Sequence, residues 1–219
     1  MKKFLSLVLA LVMTMSLVTI SAGATEFKDL TDVDSIEHKE AVELFNKIGI
    51  ITGYEDGSFG PEKTITREQA AKIIAIMALG NDAASKLGVE KAPFPDVPAT
   101  SQFAGYIGYC VSTGIINGYN DGSFKPAGTV TGYQFLKMLL GALGYDSDIE
   151  GYTGANWQVS VIKQASGIGL DDGNDEFVGS KAVTRQEAAL YAFNMLQATM
   201  VEYDKKDTIV VDIDFVNDH

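Results

Sequence analysis

One segment of this chain occurs twice in full and a third time in degraded form. Gly-Ile-Ile-Thr-Gly-Tyr-Glu-Asp-Gly-Ser-Phe-Gly-Pro at 49–61 returns as Gly-Ile-Ile-Asn-Gly-Tyr-Asn-Asp-Gly-Ser-Phe-Lys-Pro at 114–126. Each copy leads, after the same gap, to a threonine, Thr66 or Thr131, and the third copy keeps this spacing over 167–184. A repeat of this length predicts one structural unit used three times.

The beginning of the chain is typical of a secretory signal peptide. Two lysines at 2–3 precede an apolar run at 4–20 and small residues at 22–24, which predicts cleavage before Thr25. The apolar run is shorter than the roughly 20 apolar residues that a membrane span needs. We therefore predict a signal peptide at 1–24 and an exported protein with no membrane span after cleavage.

The composition argues against several classes of function. The formal charge is −12, and it becomes −14 when the two lysines of the signal peptide are removed. Nucleic-acid binding depends on cations that neutralise phosphates, so we expect no nucleic-acid partner. The single cysteine, Cys110, is predicted to be a small buried hydrophobic residue. Two histidines, His38 and His219, give little material for a zinc or histidine-based site, and we expect no metal and no cofactor.

Each unit is predicted to form a helix, a loop and a second helix. In the second helix, apolar residues recur at i, i+3, i+4, i+7 and i+8, which indicates one buried face. Thr66, Thr131 and Thr184 each begin a Ser/Thr-x-x-Glu/Gln capping box, so they predict where these three helices start.

The first helices are predicted at 41–48, 105–113 and 157–166. Each is followed by a glycine at the place where a left-handed residue would end it, namely Gly49, Gly114 and Gly167.

The repeats divide the chain into units at 27–80, 94–145 and 152–199, of which the third is divergent. Residues 200–219 belong to no unit, and their weak alternation at 208–216 is typical of a strand. This tail is either a packed extension or the start of a further domain. The predicted fold class is mainly all-α.

The motifs of these units resemble the S-layer homology (SLH) domain family. The resemblance rests on Phe-Lys-Asp-Leu at 27–30, Phe-Pro-Asp-Val at 94–97, the Gly-Tyr-x-Asp-Gly-Ser-Phe-x-Pro loops, and Thr-Arg at 66–67 and 184–185. It implies three lobes in a pseudo-threefold arrangement around a central helical bundle. It also implies non-covalent anchoring to the bacterial cell wall. The family's usual ligand is a secondary cell-wall polysaccharide attached to peptidoglycan, often pyruvylated and bound in grooves between units.

The resemblance also implies that the motif arginine contacts the acidic group of the ligand. The candidate ligand-binding arginines are therefore Arg67 first and Arg185 second. A helix N-terminus with unpaired amides would add positive potential for such an anion. Gly132 stands in place of arginine in the second unit, so a groove that depends on this position is expected to be weakened or lost. Replacing Arg67 with alanine is expected to weaken wall binding at least tenfold while the fold stays intact.

Further candidates for ligand contact lie in the loops and at the start of the third unit. For the Asp-Gly pairs the alternatives are lining a groove or only forming the turn. For the aromatic residues the alternatives are stacking on a sugar ring of the ligand or packing within the protein. These candidates are Asp56, Gly57, Asp121, Gly122, Tyr54, Tyr119 and Trp157.

The predicted function is therefore a cell-wall anchor, secreted and located at the cell-wall or S-layer surface. The alternative is a structural module that assembles with other surface-layer proteins through protein–protein contacts. An enzyme is not expected, because no nucleophile, base and acid converge in the sequence, and no Gly-rich phosphate loop is present. The residues leave open which glycan is bound and how many grooves work.

Overall fold

The computed structural model of the protein describes residues 26–204 and 209–212. The signal peptide predicted at 1–24 lies outside the described residues. The fold is mainly helical, as predicted, with two short 3-10 turns near the start and one antiparallel pair of strands near the end. The helices are α1 Lys39–Lys47, α2 Arg67–Leu79, α3 Asn81–Ala84, α4 Ala104–Ser112, α5 Gly132–Ala142, α6 Trp157–Gly167 and α7 Arg185–Met195, and the strands are β1 Val201–Asp204 and β2 Ile209–Asp212.

The second helices of the units, α2, α5 and α7, form the centre of the molecule. Each begins after its predicted threonine, whose hydroxyl accepts a hydrogen bond from the third amide of the helix at 3.4, 3.4 and 3.3 Å, respectively. The Gln or Glu side chain at that position accepts from the threonine N–H, so all three capping boxes are confirmed. Helix α2 packs against α5, and α5 packs against α7.

The first helices are exchanged between units. Helix α4 of the second unit packs on α2 of the first, α6 of the third packs on α5 of the second, and α1 packs on α7. Each unit therefore completes the core of another, and none has a closed core of its own. Cys110 in α4 is fully buried against α2, and burial raises the pKa of its thiol to about 12, which confirms it as a core residue.

Two of the three predicted helix-ending glycines take the left-handed conformation. Gly49 has φ 74° and Gly114 has φ 75°. The prediction for Gly167 was wrong, because this glycine is the last residue of α6 and Gly169 takes φ 75° instead. The amide of Ile168 still donates to carbonyls within the last turn of α6, so the chain leaves the helix later in the third unit.

The tail forms a two-stranded hairpin attached to the second unit. The N–H of Val201 in β1 donates to the carbonyl of Leu143 at 2.8 Å, just after α5. Of the strand predicted at 208–216, residues 209–212 form β2, and the remainder lies outside the described residues. No helix in the described part of the chain has the length and apolar character needed to cross a membrane.

Candidate functional site

The three units meet where their second helices begin. Short segments at 64–66, 129–131 and 182–184 form antiparallel bridges with one another immediately before α2, α5 and α7. The bridged pairs are Thr64–Thr184, Thr66–Thr129 and Thr131–Ala182. This junction places the start of each second helix beside the loop of the next unit in cyclic order.

The first amides of these helices donate to that neighbouring loop. In α2, the N–H of Arg67 donates to the carbonyl of Gly128 at 2.9 Å, and the N–H of Glu68 donates to that of Pro126 at 3.1 Å. The corresponding amides of α5 and α7 donate to equivalent carbonyls of the third and first units. The expectation of unpaired amides that attract an anion was therefore wrong, because the neighbouring unit already satisfies them.

The chain contains two arginines, and both lie at these junctions. Arg67 is only 5% exposed. Its Nε donates to the carbonyl of Phe124 at 2.9 Å, and its Nη2 donates to that of Asn117 at 3.1 Å. The guanidinium also lies over the rings of Tyr119 and Phe124, at 4.8 and 4.7 Å from their centroids. Arg67 thus ties the first unit to the loop of the second.

Arg185 repeats this arrangement between the third unit and the first. It is 7% exposed, and its Nε and Nη2 donate to the carbonyls of Phe59 at 2.8 Å and Thr52 at 2.6 Å. Its guanidinium lies 4.6 Å from the ring centroid of Tyr54 and 4.8 Å from that of Phe59. Burial lowers the pKa of both arginines, and a nearby aspartate opposes this effect in each case.

An aspartate side chain accepts hydrogen bonds from the backbone of each arginine-binding loop. Asp96 accepts hydrogen bonds from the amides of Phe124 and Lys125 at 2.9 and 2.8 Å. Asp32 accepts equivalent bonds from the amides of Phe59 and Gly60 in the first loop, at 2.8 and 2.7 Å. The amide of Phe124 is the main cause of the lowered pKa of Asp96. The sequence did not single out Asp32, because it lies two residues beyond the Phe-Lys-Asp-Leu motif.

The third junction is closed where the other two hold an arginine. A Cβ on Gly132 would lie 2.8 Å from Cε2 of Phe177 and 3.0 Å from Cα of Gly179. Tyr133 packs edge-on against Phe177, with 6.1 Å between the ring centroids. The space of the arginine is therefore filled by the third unit's own loop.

Each arginine lines a groove between units. Groove 1 has a volume of about 280 Å³ and draws residues from all three units: Arg67, Ile115, Ile116, Asn117, Gly118, Gln134, Lys137, Met138, Tyr152, Thr153 and Trp157. Groove 2 has a volume of about 230 Å³ and is lined by the corresponding set: Ile50, Ile51, Thr52, Gly53, Tyr54, Ile65, Gln69, Lys72, Ile73, Phe103 and Arg185.

Each groove also contains a lysine that was not among the residues predicted from the sequence. Lys72 in α2 and Lys137 in α5 occupy the same position of the repeat. Nζ of Lys137 donates to the carbonyl of Tyr152 at 2.6 Å, and burial lowers the pKa of Lys137. Among the described residues, Lys72 has no hydrogen-bond or ion-pair partner. The third unit has Leu190 at this position, so the third junction, where Gly132 stands in place of the arginine, lacks both cations.

A repeated Gln-x-x-Lys on two otherwise apolar helices was the signal that could have identified these lysines. Gln69 precedes Lys72, and Gln134 precedes Lys137, with the same spacing. The third unit has Glu187 in place of the glutamine. Among the described residues, no group of three or more His, Cys, Asp and Glu side chains is arranged to hold a metal ion.

The structure separates the other candidate residues into two sets. Tyr54 lines groove 2, Trp157 lines groove 1, and Tyr119 lies over Arg67. The Asp-Gly pairs form the loop turns outside both lining sets. In each turn the aspartate accepts from the N–H and the hydroxyl of the serine two residues on, and the glycine has φ 80°. The ligand-contact roles of Asp56, Gly57, Asp121 and Gly122 stay predictions, as do those of the aromatic residues.

The sequence model of the S-layer homology domain matches residues 26–71 and 93–136, which lie in the first two units. The first two units of the chain therefore belong to the SLH domain family. Assignment of the third unit to the family stays a prediction, although its two helices and its capping box occupy equivalent places in the fold.

Similar proteins come from the surfaces of other bacteria. The chain is 31% identical to a surface layer protein of Brevibacillus choshinensis over 79% of this chain and 15% of that protein. It is 29% identical to a middle cell wall protein of Brevibacillus brevis, over 92% of this chain and 19% of that protein. A cellulosome-anchoring protein of Acetivibrio thermocellus is 32% identical over 52% of this chain and 25% of that protein. The chain therefore spans a quarter or less of the length of these relatives.

The SLH family and these relatives confirm the expected localisation, secreted and at the cell-wall surface. They support cell-surface anchoring as its function and point to a non-catalytic module.

Proposed function

We propose that this SLH protein binds an acidic secondary cell-wall polysaccharide in grooves 1 and 2 and thereby attaches non-covalently to peptidoglycan. The observation that carries the proposal is the repeated pairing of one arginine with one lysine in each groove: Arg67 with Lys137, and Arg185 with Lys72. Two cations in a partly apolar groove suit a ligand that has a carboxylate on a sugar ring.

The arginine has one nitrogen left for such a ligand. Nε and Nη2 of Arg67 are used by carbonyls of the neighbouring loop. Nη1 has no hydrogen-bond partner within the part of the chain that the structure describes, and the side chain lines groove 1. Because the neighbouring carbonyls and rings fix the guanidinium, little conformational entropy would be lost when an anion binds to Nη1.

The lysine of each groove supplies a second, compact positive charge, and the lining of each groove also contains an aromatic side chain. In groove 1, Nζ of Lys137 lies 5.7 Å from the ring centroid of Trp157. In groove 2, the lining that contains Lys72 also contains the aromatic residues Tyr54 and Phe103. A flat aromatic face packs well against the C–H face of a sugar, so each groove combines charge recognition with sugar stacking.

The overall charge makes these few cations decisive. A chain with a formal charge of −12 repels an anionic polymer at long range, so attraction depends on the local groove charges. We expect wall binding to weaken as salt is raised, because a surface-accessible charge pair is screened over about 10 Å at 0.1 M salt.

The test is co-sedimentation with purified cell walls, before and after chemical removal of the secondary polymer. Binding is expected to disappear on removal. Lys137→Met and Lys72→Met should each weaken binding to intact walls about tenfold at the altered groove, which corresponds to the loss of one charge-assisted hydrogen bond. Lys163→Met is the matched control, because Lys163 is exposed on α6 and belongs to neither groove.

Two results would contradict the proposal. Binding that survives removal of the polymer would identify peptidoglycan itself as the ligand. Failure to bind walls, together with self-association that rises with concentration and ignores the lysine changes, would favour the alternative, an assembly module acting through protein–protein contacts.

A further inference from the structure

A lysine lies over each of the two tyrosines that contact the arginines. Nζ of Lys63 is 3.9 Å from the ring centroid of Tyr54, and Nζ of Lys125 is 4.3 Å from that of Tyr119. The same rings carry the guanidinium groups of Arg185 and Arg67. Each tyrosine is therefore in contact with two cations, one from its own loop and one from another unit.

The two lysines reach their tyrosines from different positions in the repeat. The first loop reads Ser-Phe-Gly-Pro-Glu-Lys at 58–63, and the second reads Ser-Phe-Lys-Pro-Ala-Gly at 123–128. Lysine and glycine have exchanged places between the loops, yet an ammonium lies over the ring in both. What the two loops share is the contact and not the position in the sequence.

The second loop keeps this contact with an unfavourable backbone. Lys125 has φ 57° and is the one non-glycine residue with positive φ among those described. The equivalent residue in the first loop is Gly60, with φ 68°, which a glycine adopts without strain. Strained residues persist where the surrounding structure and function require them.

The tyrosines need a restraint because they are not buried. Tyr54 and Tyr119 are each 36% exposed, so packing restrains these rings less than it would restrain buried ones. A cation over an aromatic face is attracted by the negative charge of the ring, and such contacts are individually modest at exposed sites. Lys125 is itself held by an ion pair to Asp121 at 3.3 Å.

We propose that Lys63 and Lys125 are positioning residues that hold Tyr54 and Tyr119 against Arg185 and Arg67, and so keep the free Nη1 of each arginine directed at its groove. This assignment of a role in ligand binding rests on the proposed function. The hold on the arginine is a property of the protein alone and is measurable without a ligand.

The first test uses the hydrogen exchange of the arginine Nε–H groups, measured by NMR on the full chain. The chain has two arginines, so it gives two Nε–H signals, one for each junction. Lys63→Met should speed exchange at Arg185 about two- to fivefold and leave Arg67 unchanged, which is the range expected for one exposed cation–π contact. Lys125→Met should do the reverse. Unchanged exchange in both variants would overturn the proposal.

A relocation variant tests whether the contact itself matters. Gly60→Lys combined with Lys63→Gly gives the first loop the lysine and glycine pattern of the second. It should restore the slow exchange that Lys63→Met loses, because Lys125 already adopts the required backbone. Failure to restore slow exchange, in a variant that unfolds like the parent, would mean that position 63 acts in some other way.

Wall binding distinguishes positioning from direct contact with the ligand. Lys63→Met should weaken co-sedimentation about two- to fivefold, and it should add nothing in a Tyr54→Leu background, because the lysine acts through the ring. Full additivity would assign Lys63 to the ligand directly and overturn the positioning role. If the parent does not bind walls, the proposed function fails, and the exchange rates still decide whether the lysines hold the arginines.

Discussion

Removing the side chain of Arg67 should destabilise the fold as well as weaken binding. The sequence suggested that Arg67→Ala would leave the fold intact, but the side chain is 5% exposed and joins two units. The change removes two hydrogen bonds from a charged donor, at 2.9 and 3.1 Å, and leaves the carbonyls of Phe124 and Asn117 without that partner. It also removes the contacts with two aromatic rings.

The size of the effect follows from these contacts. A hydrogen bond to a charged group contributes about 1.5–3 kcal/mol, and relief of the desolvated guanidinium offsets part of the loss. We expect a net decrease of about 2–4 kcal/mol in the free energy of unfolding. For a domain of this size, that lowers the melting temperature by roughly 5–15 °C.

Urea denaturation followed by circular dichroism measures this difference, with Lys47→Ala as the control. Lys47 is an exposed cation at the end of α1 and makes no contact with the junctions. Arg67→Lys should recover little, because an ammonium cannot donate to both carbonyls and stack on both rings. A loss for Arg67→Ala no larger than that of the control would refute the inference that this arginine ties two units together.

Three further predictions concern the closed junction, the tail and acid stability. Gly132→Ala should destabilise the protein by about 1–3 kcal/mol in urea denaturation, because its Cβ would overlap the ring of Phe177. Gly144→Ala should displace β1, because Gly144 has φ 102° and a Cβ added there would overlap the carbonyl oxygen of the first β1 residue. Faster amide hydrogen exchange in β1 would show this displacement. The pKa of Asp96 is lowered mainly by the hydrogen bond from the amide of Phe124. The ionised carboxylate of Asp96 therefore stabilises the fold at pH values above its unfolded pKa of about 3.9, and this stabilisation is lost as the pH falls through the folded pKa. Asp96→Asn should therefore be less stable at pH 7 and lose less additional stability than the parent between pH 4 and pH 2; equal pH dependence would contradict this.

The parts of the fold that repeat locally could be predicted from the sequence. The three threonine capping boxes depend on residues three positions apart, so the starts of α2, α5 and α7 were found correctly. The first helices were predicted within two residues of their observed ends. The prediction that Gly167 ends its helix was wrong, because a helix end depends on how the following loop packs and the third loop differs from the other two.

The contacts between units could not be predicted in the same way. Arg67 binds a loop 57 residues away, and Arg185 binds one 126 residues away. The first two loops share almost all their residues, so the sequence does not tell which loop receives which arginine. Lys72 and Lys137 were missed because a polar residue on an amphipathic helix is usually assigned to the solvent face. Their place in the grooves follows from the exchange of first helices between units.

The closed third junction gives the account its most direct test, which is the number of binding sites. Calorimetric titration of the chain with short polymer fragments released from purified cell walls measures that number. We predict two sites per chain, and in Lys137→Met or Lys72→Met we expect one of the two to become about tenfold weaker while the other keeps its affinity. Three sites of similar affinity would contradict it, because they would require a working groove where Gly132 and Leu190 replace the two cations. Two sites whose affinities stay unchanged when both lysines are changed would place the ligand outside these grooves.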